Sequence, residues 1–221
     1  MDHSILDTLD AMLQSEARWT TIRKHRNKQC RLCPLHKEAQ SVCTQGDGNP
    51  TAPLMLIGEA PGQREDDLEK PFQGPAGQLL DKCMAKIGMD RTQVFIDNVV
   101  RCRPPKNRKP EPEEVAACRQ YLVNVIRIVK PRVVVAMGAT ALYGTTGKTG
   151  ISKWRGQKIY SLKLGVIVLA TWHPSYCLRT RSAIPELEED LELATRMLGL
   201  FDFFGDLRKV NLRGRLRQDE P

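Results

Sequence analysis

The stretch Leu54-Met-Leu-Ile-Gly-Glu-Ala-Pro-Gly62 decides the fold of this chain. Its first four residues are apolar and predict a buried β-strand, which Gly58, Pro61 and Gly62 end abruptly. Glu59 therefore lies just beyond the carboxyl end of a strand. In open α/β sheets that edge holds the ligand site, so the pattern predicts a functional site at this position.

A glycine-rich segment, Pro71-Phe-Gln-Gly-Pro-Ala-Gly-Gln-Leu-Leu-Asp81, follows this strand. Gly74 and Gly77 let the backbone come close to a ligand or a neighbouring loop before a helix begins near Gln78. On their own, such glycines are more often part of an ordinary connection between a strand and a helix. Other features of the chain favour the functional interpretation.

Three further apolar runs predict strands, at Val94–Val100, Arg132–Gly138 and Val166–Thr171, with helical patterns between them. Strands that alternate with helices predict a mostly parallel sheet that is covered on both faces. The expected fold is therefore α/β, a three-layer α/β/α sandwich with a central four-stranded parallel sheet.

The chain is expected to have three parts. Residues 1–28 are interpreted as an N-terminal amphipathic helix followed by a basic segment, residues 29–204 as the main domain, and residues 205–221 as a polar, basic C-terminal tail. The basic segment Arg23–Lys28 is typical either of a solvated helix face or of a DNA contact.

Composition limits the classes of protein that fit. With 221 residues, 41% of them apolar, the chain can bury a full core as one domain with terminal extensions. A formal net charge of +8 suits an anionic partner such as nucleic acid. No run of about 18 apolar residues and no signal-peptide pattern is present, so we expect a soluble intracellular protein, cytoplasmic or nucleoid-associated, without a membrane partner.

The cysteines form a second chemical pattern. Seven cysteines, unevenly distributed, argue against a secreted disulfide framework. Cys30 and Cys33 are separated by two residues, whereas Cys102 and Cys118 are separated by fifteen. Four thiolates can hold a zinc ion or an iron-sulfur cluster, and the wide second pair fits a cluster better; four unrelated buried thiols are the alternative. The remaining cysteines are interpreted as packing residues: Cys43, Cys83 and Cys177.

Polar side chains also follow two other predicted strands. Asn98 lies near the end of the second strand, and His173 follows the fourth, with Pro174 holding the backbone extended after it. Each residue alone is compatible with a structural role. Together with Glu59 they bring an acid, an amide and an imidazole to one edge of the sheet, which is the pattern of a site.

These motifs together resemble the family 4 uracil-DNA glycosylases and the four-cysteine pattern of their 4Fe-4S cluster, over about residues 27 to 198. Two positions depart from the family pattern: Glu69 stands where a glycine is usual and Gln73 where an apolar residue is usual. Both border Phe72. The motifs that carry the resemblance are Gly58–Gly62, Glu65-Asp66, Pro71-Phe72, Gly74–Gly77, Leu79–Asp81, Asn98–Pro105 and His173–Ser175.

The resemblance implies a monofunctional DNA glycosylase that flips uracil out of DNA and removes it by hydrolysis, leaving an abasic site in base excision repair. Phe72 would stack on uracil and Asn98 would bind its Watson-Crick edge. His173 would donate to uracil O2 as negative charge develops there, and Glu59 would orient the attacking water or stabilise the cationic sugar. The rest of the expected substrate pocket is formed by Gly58, Ala60, Pro61 and Gly62.

The resemblance also implies partners. Uracil-containing DNA is the expected substrate, the protein is expected to be a monomer, and repair or replication proteins are the other partners to be expected. The four cysteines Cys30, Cys33, Cys102 and Cys118 would ligate a structural 4Fe-4S cluster. DNA is held mainly by its phosphates, and the expected phosphate contacts are Arg101, Arg103, Lys106, Arg108 and Lys109 near the cluster and Arg179 and Arg181 after the His173 motif. Tyr176, Leu178 or Arg179 would enter the gap left by the flipped nucleotide, and Ser175 is a further expected DNA contact.

Relatives with a Gln-Asp-Pro-Tyr version of the first motif have an Asp at the position of Ala60 and a Tyr at that of Gly62. The resemblance therefore shifts the role of that Asp to Glu59. It also requires that thymine be excluded by something other than the tyrosine ring.

Three alternatives stay open. A relative that captures uracil DNA covalently would use a histidine in an inserted loop, but Pro104–Pro112 contains none. An iron-sulfur DNA-binding module without catalysis would retain the cluster alone, and a zinc-stabilised nucleotide hydrolase would be colourless.

Gly144–Thr149 resembles a phosphate-binding loop but has Leu142 where the first glycine is required, so it is interpreted as a surface turn.

Overall fold

The computed structural model describes the backbone of residues 3–204 and 217–218, and side chains between residues 7 and 199. In this part of the chain the strands are β1 (Asp47–Gly48), β2 (Leu54–Gly58), β3 (Val94–Asn98), β4 (Val133–Met137), β5 (Lys158–Ser161), β6 (Val166–Thr171) and β7 (Arg217–Gln218). The helices are α1 (His3–His25), α2 (Gln63–Leu68), α3 (Pro75–Lys86), α4 (Pro112–Val129), α5 (Ala139–Thr146), α6 (Ile151–Trp154), α7 (Pro174–Arg179) and α8 (Ile184–Phe204).

The strands form one sheet in the order β1-β3-β2-β4-β6-β5-β7. The central strands β3, β2, β4 and β6 are mutually parallel, which confirms the predicted four-stranded parallel core. β1 and β5 pair antiparallel with β3 and β6, and β7 extends the sheet beyond β5. These three edge strands were not predicted, because they are only two to four residues long and lack a continuous apolar run.

Each of the four central strands is buried along its whole length, because helices cover both faces of the sheet. One apolar layer packs α4 against the sheet through Leu122 and Val125, and Ile22 of α1 joins this layer. The opposite layer includes Leu80 of α3 and Leu187 of α8. The predicted three-layer α/β/α sandwich is therefore confirmed.

One sequence expectation is wrong, and another concerns residues outside the described part of the chain. Gly144–Thr146 belong to α5 and are buried, so the surface turn expected at Gly144–Thr149 is wrong for these residues. The capping glycine Gly147 ends the helix in the left-handed conformation that its missing Cβ permits. The expected C-terminal tail, residues 205–221, lies outside the described residues except for the backbone of β7.

Parallel strands end at a common edge, and the register of this sheet aligns the candidate residues there. Gly58 at the end of β2 lies beside Asn98 at the end of β3. Met137 of β4 pairs with Thr171 of β6, two residues before His173. Among the described helices, none is both long enough and apolar enough to cross a lipid bilayer.

Candidate active site and cysteine cavity

A cavity of about 480 Å³ opens at the carboxyl edge of β2, β3 and β6. Glu59, Phe72, Asn98 and His173 all line it, so the four central candidates meet at one place. Its walls also contain other residues of the predicted set: Ala60, Pro61, Gly62, Ser175 and Arg179.

Two glycines make room for the aromatic ring. A Cβ on Gly58 would lie 2.5 Å from Asn98 Oδ1 and 2.6 Å from the Phe72 ring, so a larger residue at position 58 would displace both side chains. A Cβ on Gly77 would lie 1.8 Å from the Phe72 carbonyl oxygen. Phe72 itself has a φ of +56°, a left-handed conformation that side chains other than glycine rarely adopt. The surrounding contacts must therefore hold this residue in place.

Arg91 supplies one of these contacts from beyond the cavity. Its guanidinium donates to the carbonyl oxygen of Phe72 and, at 3.3 Å, to that of Pro71. Asp81 fixes the guanidinium through a 2.8 Å hydrogen bond from Arg91 Nε. The strained turn that presents the aromatic ring is thereby fastened to α3.

Glu65 connects the two loops that form the cavity wall. Its carboxylate accepts hydrogen bonds from the backbone N–H of Gln73 and of Gly74, each at 2.7 Å, and from that of Gly62 at 3.1 Å. Sequence reasoning gave this residue no role. The signal that would have found it is the capping-box spacing, a Glu three residues after the N-cap Gly62 of α2.

His173 has a defined orientation and tautomer. Its Nδ1 accepts a 3.1 Å hydrogen bond from the backbone N–H of Ser175 and lies 2.8 Å from the Ser175 hydroxyl. The neutral ring therefore carries its proton on Nε2. Burial, and then the nearby Arg179 cation, lower the pKa of His173 from 6.5 to about 4, so the imidazole is neutral at physiological pH. The Phe72 and His173 ring centroids are 5.7 Å apart.

Glu59 and Asn98 are each held by a buried neighbour. The hydroxyl of Thr140, at the start of α5, donates to Glu59 Oε2. The backbone N–H of Asn98 donates to the carboxylate of Asp97 at 2.8 Å. Neither Thr140 nor Asp97 was identified from the sequence. Thr140 is 81 residues from Glu59, and a contact between such distant elements leaves no local pattern.

The candidate DNA contacts divide into two groups. Ser175 and Arg179 line the cavity, whereas Arg103, Lys106 and Tyr176 do not. Arg101 is only 2% exposed, so the phosphate contact expected for this residue is wrong. Arg103 is engaged with Asn107 Oδ1 at 2.7 Å and with Gln63, at the rim. Tyr176 packs against Trp172 with ring centroids 4.9 Å apart.

A second, smaller cavity is lined by all four predicted metal ligands, Cys30, Cys33, Cys102 and Cys118. Burial raises the pKa of the Cys102 thiol to about 11 and that of Cys118 to about 12, so these sulfurs stay protonated unless a metal replaces the protons. Cys43, interpreted from the sequence as a packing residue, is buried and also lines this cavity, and its N–H donates to Cys102 Sγ at 3.4 Å.

The chemistry of this donor set fits a cluster. Four sulfurs arise from the N-terminal segment, a loop and α4, and among the described residues no three His, Cys, Asp or Glu side chains are grouped tightly enough for one metal ion. A tetrahedral zinc site needs its sulfurs close together, at about 2.3 Å from one ion. In a cluster each thiolate binds a different iron, so four sulfurs that line one shared space match that donor set.

Glu69 departs from the resemblance in a structurally informative way. It follows α2 with a φ of +56°, the left-handed conformation for which glycine is favoured. Its carboxylate pairs with Arg26 at 2.8 Å and with Lys28 at 3.4 Å. The N-terminal segment that carries the first cysteine pair is thereby joined to the end of α2, the helix whose first residues line the cavity of the candidate active site.

The other departure, Gln73, closes its own turn. Its side-chain Nε2 donates to the carbonyl oxygen of Pro71 at 2.9 Å. A polar side chain at this position is therefore satisfied within the loop that presents Phe72.

Fold and cavity place the chain in the class of α/β/α proteins whose ligand site lies at the carboxyl edge of a parallel sheet. Residues 45–196 match the family model of the uracil DNA glycosylase superfamily. The chain is 46% identical to the type-4 uracil-DNA glycosylase of Thermotoga maritima over 163 residues, 73% of this chain and 84% of that protein. It therefore belongs to the uracil DNA glycosylase superfamily and, within it, to the type-4 group.

Two archaeal type-4 uracil-DNA glycosylases are similar over comparable lengths. Identity to the Pyrobaculum aerophilum protein is 40% over 173 residues, 75% of this chain and 88% of the relative. Identity to the Archaeoglobus fulgidus protein is 38% over 187 residues, 79% and 93% respectively.

Proposed function

We propose that the chain is a monofunctional uracil-DNA glycosylase, which flips uracil out of DNA and removes it by hydrolysis to leave an abasic site in base excision repair. The observation that carries this proposal is the meeting of Glu59, Phe72, Asn98 and His173 around one cavity. Family membership supports the same conclusion. The uracil-containing strand is the proposed substrate.

Base recognition is assigned to Phe72 and Asn98. Uracil must leave the base stack at a cost of a few kcal/mol, and an aromatic face in a fitted pocket offsets part of this cost. The carboxamide of Asn98 offers a donor and an acceptor, so it matches the O4 and N3–H of uracil and mismatches cytosine. The positions of Gly58 and Gly77 support this role, because both are needed to seat the ring.

His173 is the proposed electrophilic residue. Because Nδ1 is an acceptor for Ser175, the remaining ring proton on Nε2 can donate to uracil O2. Negative charge develops on that oxygen as the glycosidic bond breaks, and a donor aimed at it stabilises the transition state more than the ground state. A neutral imidazole suits this role because it donates without transferring its proton.

Glu59 is the proposed partner of the attacking water and of the cationic sugar. Thr140 fixes one carboxylate oxygen, which leaves the other for the reaction. Gly62 has no side chain that could replace Glu59 or screen the base. A Cβ at this position would lie 2.7 Å from Glu65 Oε2, so a larger residue would require Glu65 to shift. Exclusion of thymine is therefore assigned to the remaining walls of the cavity.

The four cysteines are proposed to hold a 4Fe-4S cluster. When bound, it supplies a cross-link between the N-terminal segment and residues 102–118; hydrolysis of a glycosidic bond transfers no electron.

Arg103 and Lys106, near Cys102, and Arg179 near His173 are the proposed phosphate contacts. A monomer that works with repair or replication proteins, in the compartment that holds the genome, completes the proposal.

Incubation of the purified protein with a uracil-containing oligonucleotide, followed by alkali, tests the activity. Strand cleavage after alkali, absent with a thymine-containing control, is expected. Retarded mobility without cleavage would instead indicate a DNA-binding module, and a protein-DNA band stable in SDS would indicate covalent capture. Release of free base from a panel that includes thymine and hypoxanthine measures the selectivity of the cavity.

The colour and iron content of the same preparation test the cofactor. A brown protein with about four iron atoms per chain is expected for a 4Fe-4S cluster. A colourless protein that contains zinc would contradict this assignment and leave the proposed glycosylase activity to be judged by the oligonucleotide assay.

A further inference from the structure

Arg101 is a charged side chain in an unusual place. It is only 2% exposed and lines the cysteine cavity together with Cys30, Cys102 and Cys118. A buried cation is costly unless it is paired and its donors are hydrogen-bonded. The partners of this guanidinium therefore indicate what the site is built to hold.

One partner is present. The terminal nitrogen of Arg101 donates to Asp97 Oδ2, and Asp97 is itself 3% exposed. The other oxygen of that carboxylate accepts the N–H of Asn98 at 2.8 Å. The Tyr121 ring centroid lies 5.9 Å from the centre of the guanidinium. Each oxygen of the Asp97 carboxylate thus already accepts one hydrogen bond.

One donor is left over. Among the described residues, Arg101 Nε is buried and has no hydrogen-bond partner. The backbone around it is fixed, because the Arg101 carbonyl oxygen accepts from the N–H of Thr44 at 2.8 Å and from its hydroxyl at 3.0 Å. A rigid, buried donor without a partner at the wall of a cavity points to an acceptor that belongs in the cavity.

The chemistry of a cluster supplies such an acceptor. Four thiolates outweigh the positive charge of a 4Fe-4S core, so the bound group is an anion whose sulfur atoms accept hydrogen bonds. Hydrogen bonds and charges next to the sulfurs also set the reduction potential and the retention of the metal.

We propose that Arg101 is the counter-charge of the cluster, with its Nε–H held for a cluster sulfur and Asp97 acting as the positioning residue that orients the guanidinium. This inference rests on the proposed 4Fe-4S cofactor. It assigns the segment from Asp97 to Cys102 two tasks: Asn98 faces the base cavity, and Arg101 and Cys102 face the cluster.

The test uses full-length holoprotein and the double variant Asp97→Asn/Arg101→Met, which removes both charges and so leaves no unpaired buried ion. Iron release to a chelator is expected to be about 10- to 100-fold faster than in the wild type. The reduction potential is expected to become more negative, because the lost cation favoured the more negative, reduced cluster. Release within twofold of the wild type, at an unchanged potential, overturns the proposal.

The matched control removes another ion pair of low exposure. Arg155 and Asp190, 3.0 Å apart, lie next to α6 and in α8, and neither lines the cysteine cavity. The variant Arg155→Met/Asp190→Asn makes the same change of charge, and its iron release and potential are expected to match the wild type. Equally fast release from this control would show that general destabilisation is responsible and would overturn the proposal.

A single variant keeps the test usable if the double variant does not fold. Arg101→Lys retains a cation that can pair with Asp97 but lacks the Nε–H, so iron release is expected to be several times faster than in the wild type; release within twofold of the wild type overturns the proposal. If the wild-type protein contains no iron, both the proposed cofactor and this inference are overturned. Iron in the wild type with unaltered variants overturns the inference alone.

Discussion

The base cavity, lined by Asn98, and the cysteine cavity, lined by Arg101 and Cys102, share the segment from Asp97 to Cys102. Their walls are held in different ways. At the base cavity, Glu65 and Arg91 fasten the loops through hydrogen bonds to backbone groups. At the cysteine cavity, the sulfurs come from segments far apart in sequence, and Arg101 keeps an unpartnered donor among the described residues. The first cavity is organised by the protein itself, whereas the second is proposed to depend on a bound cluster.

The most severe test of this difference is removal of a cluster ligand. Cys118→Ala is expected to abolish the visible colour and to lower the free energy of unfolding by several kcal/mol, because metal binding contributes directly to folding. Absorption spectra and urea unfolding measure both effects. Cys83→Ala is the control, since Cys83 is buried on the opposite face of the sheet and is expected to keep the colour. Retention of a full cluster in Cys118→Ala would remove Cys118 from the ligand set.

Removal of the proposed catalytic donor, His173, tests the other cavity. His173→Ala is expected to slow base release by about 100- to 1,000-fold, the usual cost of losing one preorganised donor to a developing oxyanion. The iron content and the unfolding midpoint in the absence of DNA report whether the cluster region is untouched. Single-turnover assays on a uracil-containing oligonucleotide give the rate, and a change below threefold would show that the imidazole is not aimed at the base.

Glu65→Gln tests whether hydrogen bonds alone hold the first cavity. The amide replaces one carboxylate oxygen by a donor, so at least one backbone N–H loses its acceptor, at a cost of about 1–2 kcal/mol. We expect kcat/KM for uracil release to fall about tenfold, with the cluster retained. Glu188→Gln is the control, because its ion pair with exposed Lys86 lies outside both cavities. Equal activity of the two variants would show that the hydrogen bonds of Glu65 are not needed for substrate binding.

The smallest expected effect on base release is the response to pH. The pKa of His173 is about 4 in the folded protein and about 6.5 when exposed, so the imidazole stays neutral as the pH falls from 8 to 5. Its contribution to stability is fully present above pH 6.5 and is lost as the pH falls toward 4, by roughly 3 kcal/mol. Urea unfolding at several pH values should show this slope in the wild type and not in His173→Ala. An imidazole titration near 6.5, measured by NMR, would disagree with the buried, neutral ring.

The sequence predicted the centre of the sheet because β2, β3, β4 and β6 are apolar throughout, and it predicted the meeting of Glu59, Asn98 and His173 because parallel strands share one edge. It did not predict the edge strands, which are too short to show a period. The supporting contacts of Glu65, Arg91 and Thr140 were also missed. The contacts of Arg91 and Thr140 join residues that are far apart in sequence, and those of Glu65 and Arg91 use backbone groups that every sequence possesses.

The left-handed backbone at Phe72 has an evolutionary consequence. The carbonyl oxygen of this residue occupies the space that a side chain at position 77 would need. In a library of random substitutions selected for repair of deaminated DNA, position 77 should therefore retain glycine alone, while position 72 should accept other flat rings. Gly77, which does not line the cavity, would then be under stronger selection than Phe72, the residue proposed to stack on the base.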